Sequence, residues 1–220
     1  MSFYYKILEV GASGGGKTYS QRNFGKEAGY INVENKPLPF PDKFGKHIAI
    51  ADRNPTAALS ALIELAKDPA IEVIIFDSFS EYMDMVLAEA RKTKKGFDIW
   101  SMYNEEISKF HTILKAIKKT VFVTGHYEIL NIEGAPEKRL KVNGKEHEGM
   151  VEKHYPIVLY ADKKWNDQKK NFEYSYKLVG EDMSAKCPPA IFGESVLEVP
   201  NDSKMIFDKI EDFKKLTDNG

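Results

Sequence analysis

Up to about residue 128, short unbroken apolar runs in this chain alternate with longer stretches of helical spacing. Tyr4-Tyr5-Lys6-Ile7-Leu8-Glu9-Val10 reads as a first strand, and a polar helix is predicted over 17–27. A strand is predicted over 30–34, ended by the proline-rich loop Lys36-Pro37-Leu38-Pro39-Phe40-Pro41, and another over 47–51. Asn54-Pro55-Thr56 opens a helix that runs to about residue 67, with Ala57, Leu59, Leu62, Ile63 and Leu65 as its apolar faces. Ile71-Glu72-Val73-Ile74-Ile75-Phe76-Asp77 is a continuous apolar run, the pattern of a parallel strand covered on both faces. Tyr82, Met83, Met85, Val86 and Leu87 mark a helix that Lys92-Thr93-Lys94-Lys95-Gly96 breaks. Ile107, Phe110, Ile113, Leu114 and Ile117 predict a further helix over about 102–118, and a strand follows over 120–124.

Beyond that point the pattern becomes β-rich. Short strands are predicted at 129–132, 139–142, 157–160, 172–178 and 196–199, with turns at Asn143-Gly144 and Asn166-Asp167. A closing amphipathic helix is expected over 202–216, and a frayed tail over 217–220. The fold class is α/β: a central, mostly parallel sheet flanked by helices, with a C-terminal antiparallel β extension.

Composition narrows the function classes. The 220 residues carry Lys+Arg 32 against Asp+Glu 33, a formal net charge of −1. No global basic field announces nucleic acid, so any such contact must use local patches. Cys187 is the only cysteine, which excludes an intrachain disulfide and a cysteine zinc cluster. The histidines His47, His111, His126, His147 and His154 show no metal-ligand spacing. Without a signal peptide or a membrane-length apolar run, a soluble cytoplasmic protein with no membrane partner is expected.

The chemistry concentrates at residues 11–18, Gly-Ala-Ser-Gly-Gly-Gly-Lys-Thr, a complete G-x-x-x-x-G-K-[ST] phosphate loop between a predicted strand and a predicted helix. Its backbone N–H groups can wrap a polyphosphate. Gly11, Ala12, Ser13, Gly14, Gly15 and Gly16, with Lys17, Thr18 and Tyr19, are the expected nucleotide-binding residues. Lys17 is expected on the β- and γ-phosphates and Thr18 on Mg²⁺. Asp77, at the tip of its strand, is expected to hold the same Mg²⁺ directly or through water. Hydrolysis also needs a carboxylate that orients or deprotonates a water in line with the leaving group. Glu34, ending the strand after the phosphate loop, suits that role; Glu9, which precedes the loop by a residue, is a rival whose side chain is expected off the site.

The order of these pieces resembles the RecA-type branch of the P-loop ATPases. The match rests on Tyr30-Ile31-Asn32-Val33-Glu34, on Ile75-Phe76-Asp77-Ser78 and on Val121-Phe122-Val123-Thr124-Gly125-His126. More closely, the chain resembles short, phage-encoded, RecA-like nucleotide-binding proteins, some of which are single-strand annealing or recombination ATPases. The resemblance implies one RecA-like ATPase domain over 1–220, with a nucleotide-binding half (1–128), a β-rich half (129–200) and a C-terminal helix and tail (201–220). It implies ATP and Mg²⁺ as ligands, Glu34 as the catalytic carboxylate, and Thr124 and His126 as γ-phosphate sensors. It further implies a homo-oligomeric ring or filament in which Lys186, or less strongly Lys177, reaches a neighbour's γ-phosphate. Single-stranded DNA is the implied partner, with a single-strand-binding protein as a possible second. Its contacts are expected on Lys92, Lys94, Lys95 and Phe97, with Trp100 or Tyr103 as further stacking rings, and on Lys138, Arg139 and Lys141. Two other readings stay open. One is a nucleotide-gated accessory protein of replication or packaging. The other is a nucleoside or nucleotide kinase, against which the four scattered arginines Arg22, Arg53, Arg91 and Arg139 count.

Overall fold

The structure, a computed structural model, describes residues 4–218. Its elements in chain order are β1 (Lys6–Val10), β2 (Ala28–Asn32), β3 (Lys46–Ala49), α1 (Pro55–Lys67), β4 (Val73–Asp77), α2 (Phe79–Thr93), α3 (Phe97–Ala116), β5 (Thr120–Gly125), β6 (Tyr127–Ile132), β7 (Ala135–Leu140), β8 (Ile157–Asn166), β9 (Asn171–Lys177), α4 (Pro189–Phe192), β10 (Glu198–Pro200) and α5 (Ser203–Asp218). The tail expected over 217–220 is still helical at its start, and its last two residues lie outside the described ones.

Eight strands form one sheet in the order β10-β9-β8-β1-β5-β4-β2-β3. From β3 to β8 every pairing is parallel; β9 and β10 extend the sheet antiparallel. This is the expected RecA-like arrangement, with one difference. β6 and β7 do not join the sheet but form a separate antiparallel hairpin.

Alternation along the strands divides the core. Leu8, Val10, Ile74, Phe76, Val121 and Val123 face α1, α2 and α3. Ile7, Tyr30, Val73, Ile75 and Phe122 face Phe24 and the apolar side of α5, through Ile206, Phe207 and Ile210. Burial on both faces is why these strands read as unbroken apolar runs.

The helix predicted over 17–27 is not an α-helix. Only a single 3-10 turn forms, over Tyr19–Asn23, and Phe24 returns to extended backbone. α5 packs against that turn and fills the layer a longer helix would occupy. Helix α1 begins as expected: the Asn54 side chain accepts from the N–H groups of Thr56 and Ala57. Helix α3 starts five residues before its predicted position, at Phe97, after Gly96 turns the chain at a φ of 57°. Among the described residues no helix is long and apolar enough to cross a membrane.

Candidate functional site

Parallel strands place their C-terminal tips on one edge of a sheet, and the connections leaving that edge form the cleft. Period-two alternation puts Tyr30, Asp77 and Thr124 on the sheet face that carries the phosphate loop. The cleft, about 640 Å³, is lined by Ser13, Gly14, Gly15, Gly16, Lys17, Thr18 and Tyr19, by Glu34, Lys36, Asp77 and His126, and by Pro39, Phe172 and Tyr174. That volume suits a nucleotide-sized ligand.

Lys17 is buried, and its ammonium donates to the carbonyls of Gly11 (2.8 Å) and Ala12 (3.0 Å). Burial lowers its pKa, opposed by the charges of Asp77, Glu34 and Glu9. Thr18 donates its hydroxyl to Asp77 Oδ2 at 2.7 Å. Two hard oxygen donors thus meet beside the phosphate loop, a donor set that fits Mg²⁺. Two further hydroxyls hold Asp77 from behind. Tyr30 donates to Oδ2 at 2.6 Å and Thr124 donates to Oδ1. Burial, reinforced by the charge of Asp77, raises the Tyr30 pKa and keeps the phenol a donor.

Glu34 lies in the turn two residues beyond β2 rather than on the strand, whose last residue is Asn32. It lines the cleft, accepts from Ser78 Oγ at 3.0 Å and from Lys36 at 2.5 Å, and lies 4.0 Å from His126 Nε2. Partial burial pushes its pKa up, but the hydrogen bonds from Lys36 and Ser78 and the charges of Lys36 and His126 win, and the net shift is downward. Glu34 is therefore ionised at neutral pH. His126 sits on the other side, its Nδ1 3.5 Å from Lys17 Nζ and 3.3 Å from the Gly11 carbonyl. Burial, then the Lys17 charge, lowers its pKa. Thr124, expected on the γ-phosphate, is instead fully buried and touches Asp77, so any influence it has passes through that carboxylate.

Glu9 does face away from the cleft. It is completely buried and accepts from Gln21 Nε2 (2.6 Å) and Ser203 Oγ (2.5 Å). Burial pushes its pKa up to about 8, against the hydrogen bonds from Ser203, Tyr176 and Gln21. The cluster continues through Ser20, which contacts Ser203 (2.7 Å), accepts from Tyr176 OH (2.9 Å) and donates to the Lys17 carbonyl. It therefore braces the phosphate loop from behind.

The remaining expected residues lie elsewhere. Lys186 pairs through its backbone with Val158 and lies outside the cleft of its own chain. Lys177 is tied to Glu198. Lys92 lies in the last turn of α2, paired with Glu89, while Lys94 and Lys95 lie in the link to α3. Phe97 is 91% exposed; Tyr103 is fully buried, so its ring is not available to a base. Lys138 pairs with Asp182, Arg139 with Glu137, and Lys141 is exposed. The two basic regions adjoin. Trp100, one turn along α3 from Phe97, lies against Gly144, and Asn104 contacts Glu146. Tyr30, Ser78, Lys36, Phe172 and Tyr174 were given no role from the sequence, although Tyr30 and Ser78 lie inside matched motifs; the alternation around Asp77 holds a signal for Tyr30, while the others depend on tertiary register.

A phosphate loop, a metal-suited hydroxyl–carboxylate pair and a parallel sheet in this strand order define a P-loop nucleotide-binding ATPase domain of RecA-like architecture. A family model described as an AAA domain matches residues 4–186, and the chain belongs to that family. No curated protein matches the sequence. Among solved structures, a KaiC-like protein from the hyperthermophilic archaeon Pyrococcus horikoshii OT3 is similar at 15% identity and a TM-score of 0.49, over 79% of this chain and 77% of that one. The flagellar accessory protein FlaH from Methanocaldococcus jannaschii is similar at 13% identity and a TM-score of 0.46, over 90% of this chain and 84% of that one.

Proposed function

We propose that this protein is a Mg²⁺-dependent, oligomeric ATP hydrolase that acts on single-stranded DNA in annealing or recombination. The observation that carries hydrolysis is the meeting of Glu34, His126, Asp77, Thr18 and Lys17 in one cleft. Lys17 exchanges the Gly11 and Ala12 carbonyls for the β- and γ-phosphate oxygens. The ionised Glu34 holds and deprotonates the attacking water, and His126 lies where it can feel the terminal phosphate. Bound Mg²⁺ supplies charge neutralisation on the phosphoryl oxygens.

None of the four arginines lines the cleft. Arg22 holds the Asn201 carbonyl, Arg53 pairs with Glu81 and Arg139 with Glu137. That argues against a kinase with an arginine-clamped lid. Besides Lys17 the cleft's own cation is Lys36, which is committed to Glu34; a further cation on the γ-phosphate would come from a neighbouring subunit, for which Lys186 is the candidate. The DNA reading is supported by the adjacency of the Lys92–Phe97 turn and the segment after β7. It is also supported by the direct departure of hairpin β6–β7 from His126, whose N–H is held by Ser80 Oγ at 2.9 Å. A γ-phosphate contact at His126 has a short path to that hairpin.

The test is turnover with and without single-stranded DNA. Glu34→Gln should keep Mg²⁺–ATP binding and lower turnover by on the order of 100-fold. DNA should stimulate the wild type. Neutralising Lys92, Lys94 and Lys95 together should weaken DNA binding and flatten its log–log salt slope by about 0.7 per lost phosphate contact. Normal turnover in Glu34→Gln would move the catalytic carboxylate elsewhere. No DNA stimulation and no effect of the triple variant would leave an ATPase that works on another partner.

A further inference from the structure

The hairpin β8–β9 has one face that runs outward from the phosphate loop as a row of rings. Antiparallel register sets Ala161 opposite Tyr176, Lys163 opposite Tyr174 and Trp165 opposite Phe172, so these six side chains share a face. The inner end is anchored: Tyr176 is fully buried and donates to Ser20. One step out, the Tyr174 ring lies so close to Gly16 that a Cβ there would come within 2.9 Å of its Cδ1, at a backbone φ of +91° that a side chain would also strain. One step further, Phe172 enters the cleft, with Trp165 edge-on at 5.1 Å and the Lys163 ammonium 4.1 Å from its ring centre. Tyr19 and Pro39 line the same cleft, and the Arg22 guanidinium lies 4.5 Å from the Tyr19 ring centre.

The strand order fixes which part of a nucleotide this wall meets. Glu34, Asp77 and His126 follow β2, β4 and β5, on one side of β1; β9 lies on the other side, beyond β8. A triphosphate whose terminal phosphate faces Glu34 and Asp77 therefore directs its nucleoside toward Phe172 and Tyr174. The side chains β9 gives to the cleft are Phe172 and Tyr174, whose only polar atom is the tyrosine hydroxyl, with the Lys163 ammonium resting on the Phe172 ring. The Asn201 amide, packed against Gly16, has both polar atoms sealed from the surface.

Resting on the nucleotide-binding reading above, we infer that the β9 wall of Phe172 and Tyr174 is the nucleobase site, and that it selects by stacking rather than by reading the base edge. The ligand class is a purine nucleoside triphosphate, with adenine and guanine accepted alike. Pyrimidines offer less ring area to the wall and bind more weakly.

The test measures the affinities of Mg²⁺–tripolyphosphate and of the Mg²⁺ complexes of ATP, GTP and CTP, by calorimetry on the full chain. In the wild type the base should add about tenfold or more to the tripolyphosphate affinity, ATP and GTP should agree within about threefold, and CTP should be weaker. Phe172→Ala removes a half-exposed ring, and Tyr174→Leu keeps bulk against Gly16 while removing the aromatic face. Each should cut the ratio of ATP to tripolyphosphate affinity by about fivefold or more and leave tripolyphosphate itself unchanged. An unchanged ratio in both variants overturns the inference. So does an ATP-to-GTP preference beyond that window, which would mean that an edge-reading group such as Asn201 reaches the base. Failure of the wild type to bind either tripolyphosphate or ATP would instead overturn the phosphate-loop reading on which the inference stands.

Discussion

Glu9 and Asp77 arise from nearly the same sequence pattern, an acid near the end of an apolar run, and both are buried on the same sheet face. Their environments nevertheless differ. Asp77 is the last residue of β4 and opens onto the cleft, where hydroxyls of Thr18, Tyr30 and Thr124 converge on it. Glu9 is one residue short of the end of β1, and the 3-10 turn and α5 close over it. A single step along a strand separates an acid that can hold a metal from one that burial drives toward its neutral form. Distance from the strand tip, not the local motif, decides the chemistry.

The sharpest way to break this contrast is to remove each charge in turn. Asp77→Asn should lower Mg²⁺–ATP turnover by on the order of 100-fold or more, because an amide cannot replace the carboxylate beside Thr18. Glu9→Gln should leave turnover within about threefold, since the side chain touches no part of the cleft. Equal damage from both substitutions would erase the distinction.

A second measurement tests Glu9 through pH. Its folded pKa of about 8 exceeds the ordinary value of 4.5, so the folded state binds the proton more tightly than the unfolded chain does. The stability it contributes is complete below the unfolded value and is lost as pH rises toward the folded one. Thermal unfolding of the wild type should therefore show Tm falling between about pH 5 and pH 8, and Glu9→Gln should flatten that fall by several degrees, roughly 5 °C or more. The introduced amide can be accommodated, because Gln21 Oε1 has no partner and is free to accept from it. A wild-type slope that survives the substitution would assign the proton to another group.

The smallest expected effect sharpens the Asp77 side. Tyr30→Phe removes one of the three hydroxyls that hold the carboxylate and should cost about 1 kcal/mol of stability. It should raise the Mg²⁺ concentration for half-maximal turnover by less than about tenfold while leaving ATP binding without metal unchanged. A metal requirement identical to the wild type would mean that Thr18 and Thr124 suffice to hold Asp77.

Much of this arrangement was legible in the residues because each central strand is buried on both faces and announces itself as an apolar run. The phosphate loop and the Asn54 cap are equally local. The misread elements share another physical origin. The stretch 17–27 has helix-compatible polarity, but Ser20 and Gln21 are drawn into the Glu9 cluster and Phe24 into the core beside Phe207, which halts the helix after one turn. β8 was expected to end at residue 160 and continues to Asn166, because its outer half needs only its partner β9 and so carries lysines. The start of α3 was hidden by the Lys94-Lys95-Gly96 run that immediately precedes it. Phe172 and Tyr174 look like ordinary strand aromatics. Only the register of β9 against β8, and of β8 against β1, carries them to the phosphate loop.

The shortness of the 3-10 turn over Tyr19–Asn23 bears on where this domain ends. The family match stops at residue 186, yet the loop's backing comes from beyond it: Ser203 meets Ser20 and Glu9, the Asn201 carbonyl receives Arg22, and Asp202 receives Asn23. In a fold whose motif helix is this short, the far end of the polypeptide acts as the keystone. A version trimmed to the matched span would retain every motif residue and lose the wedge that keeps the glycines in place.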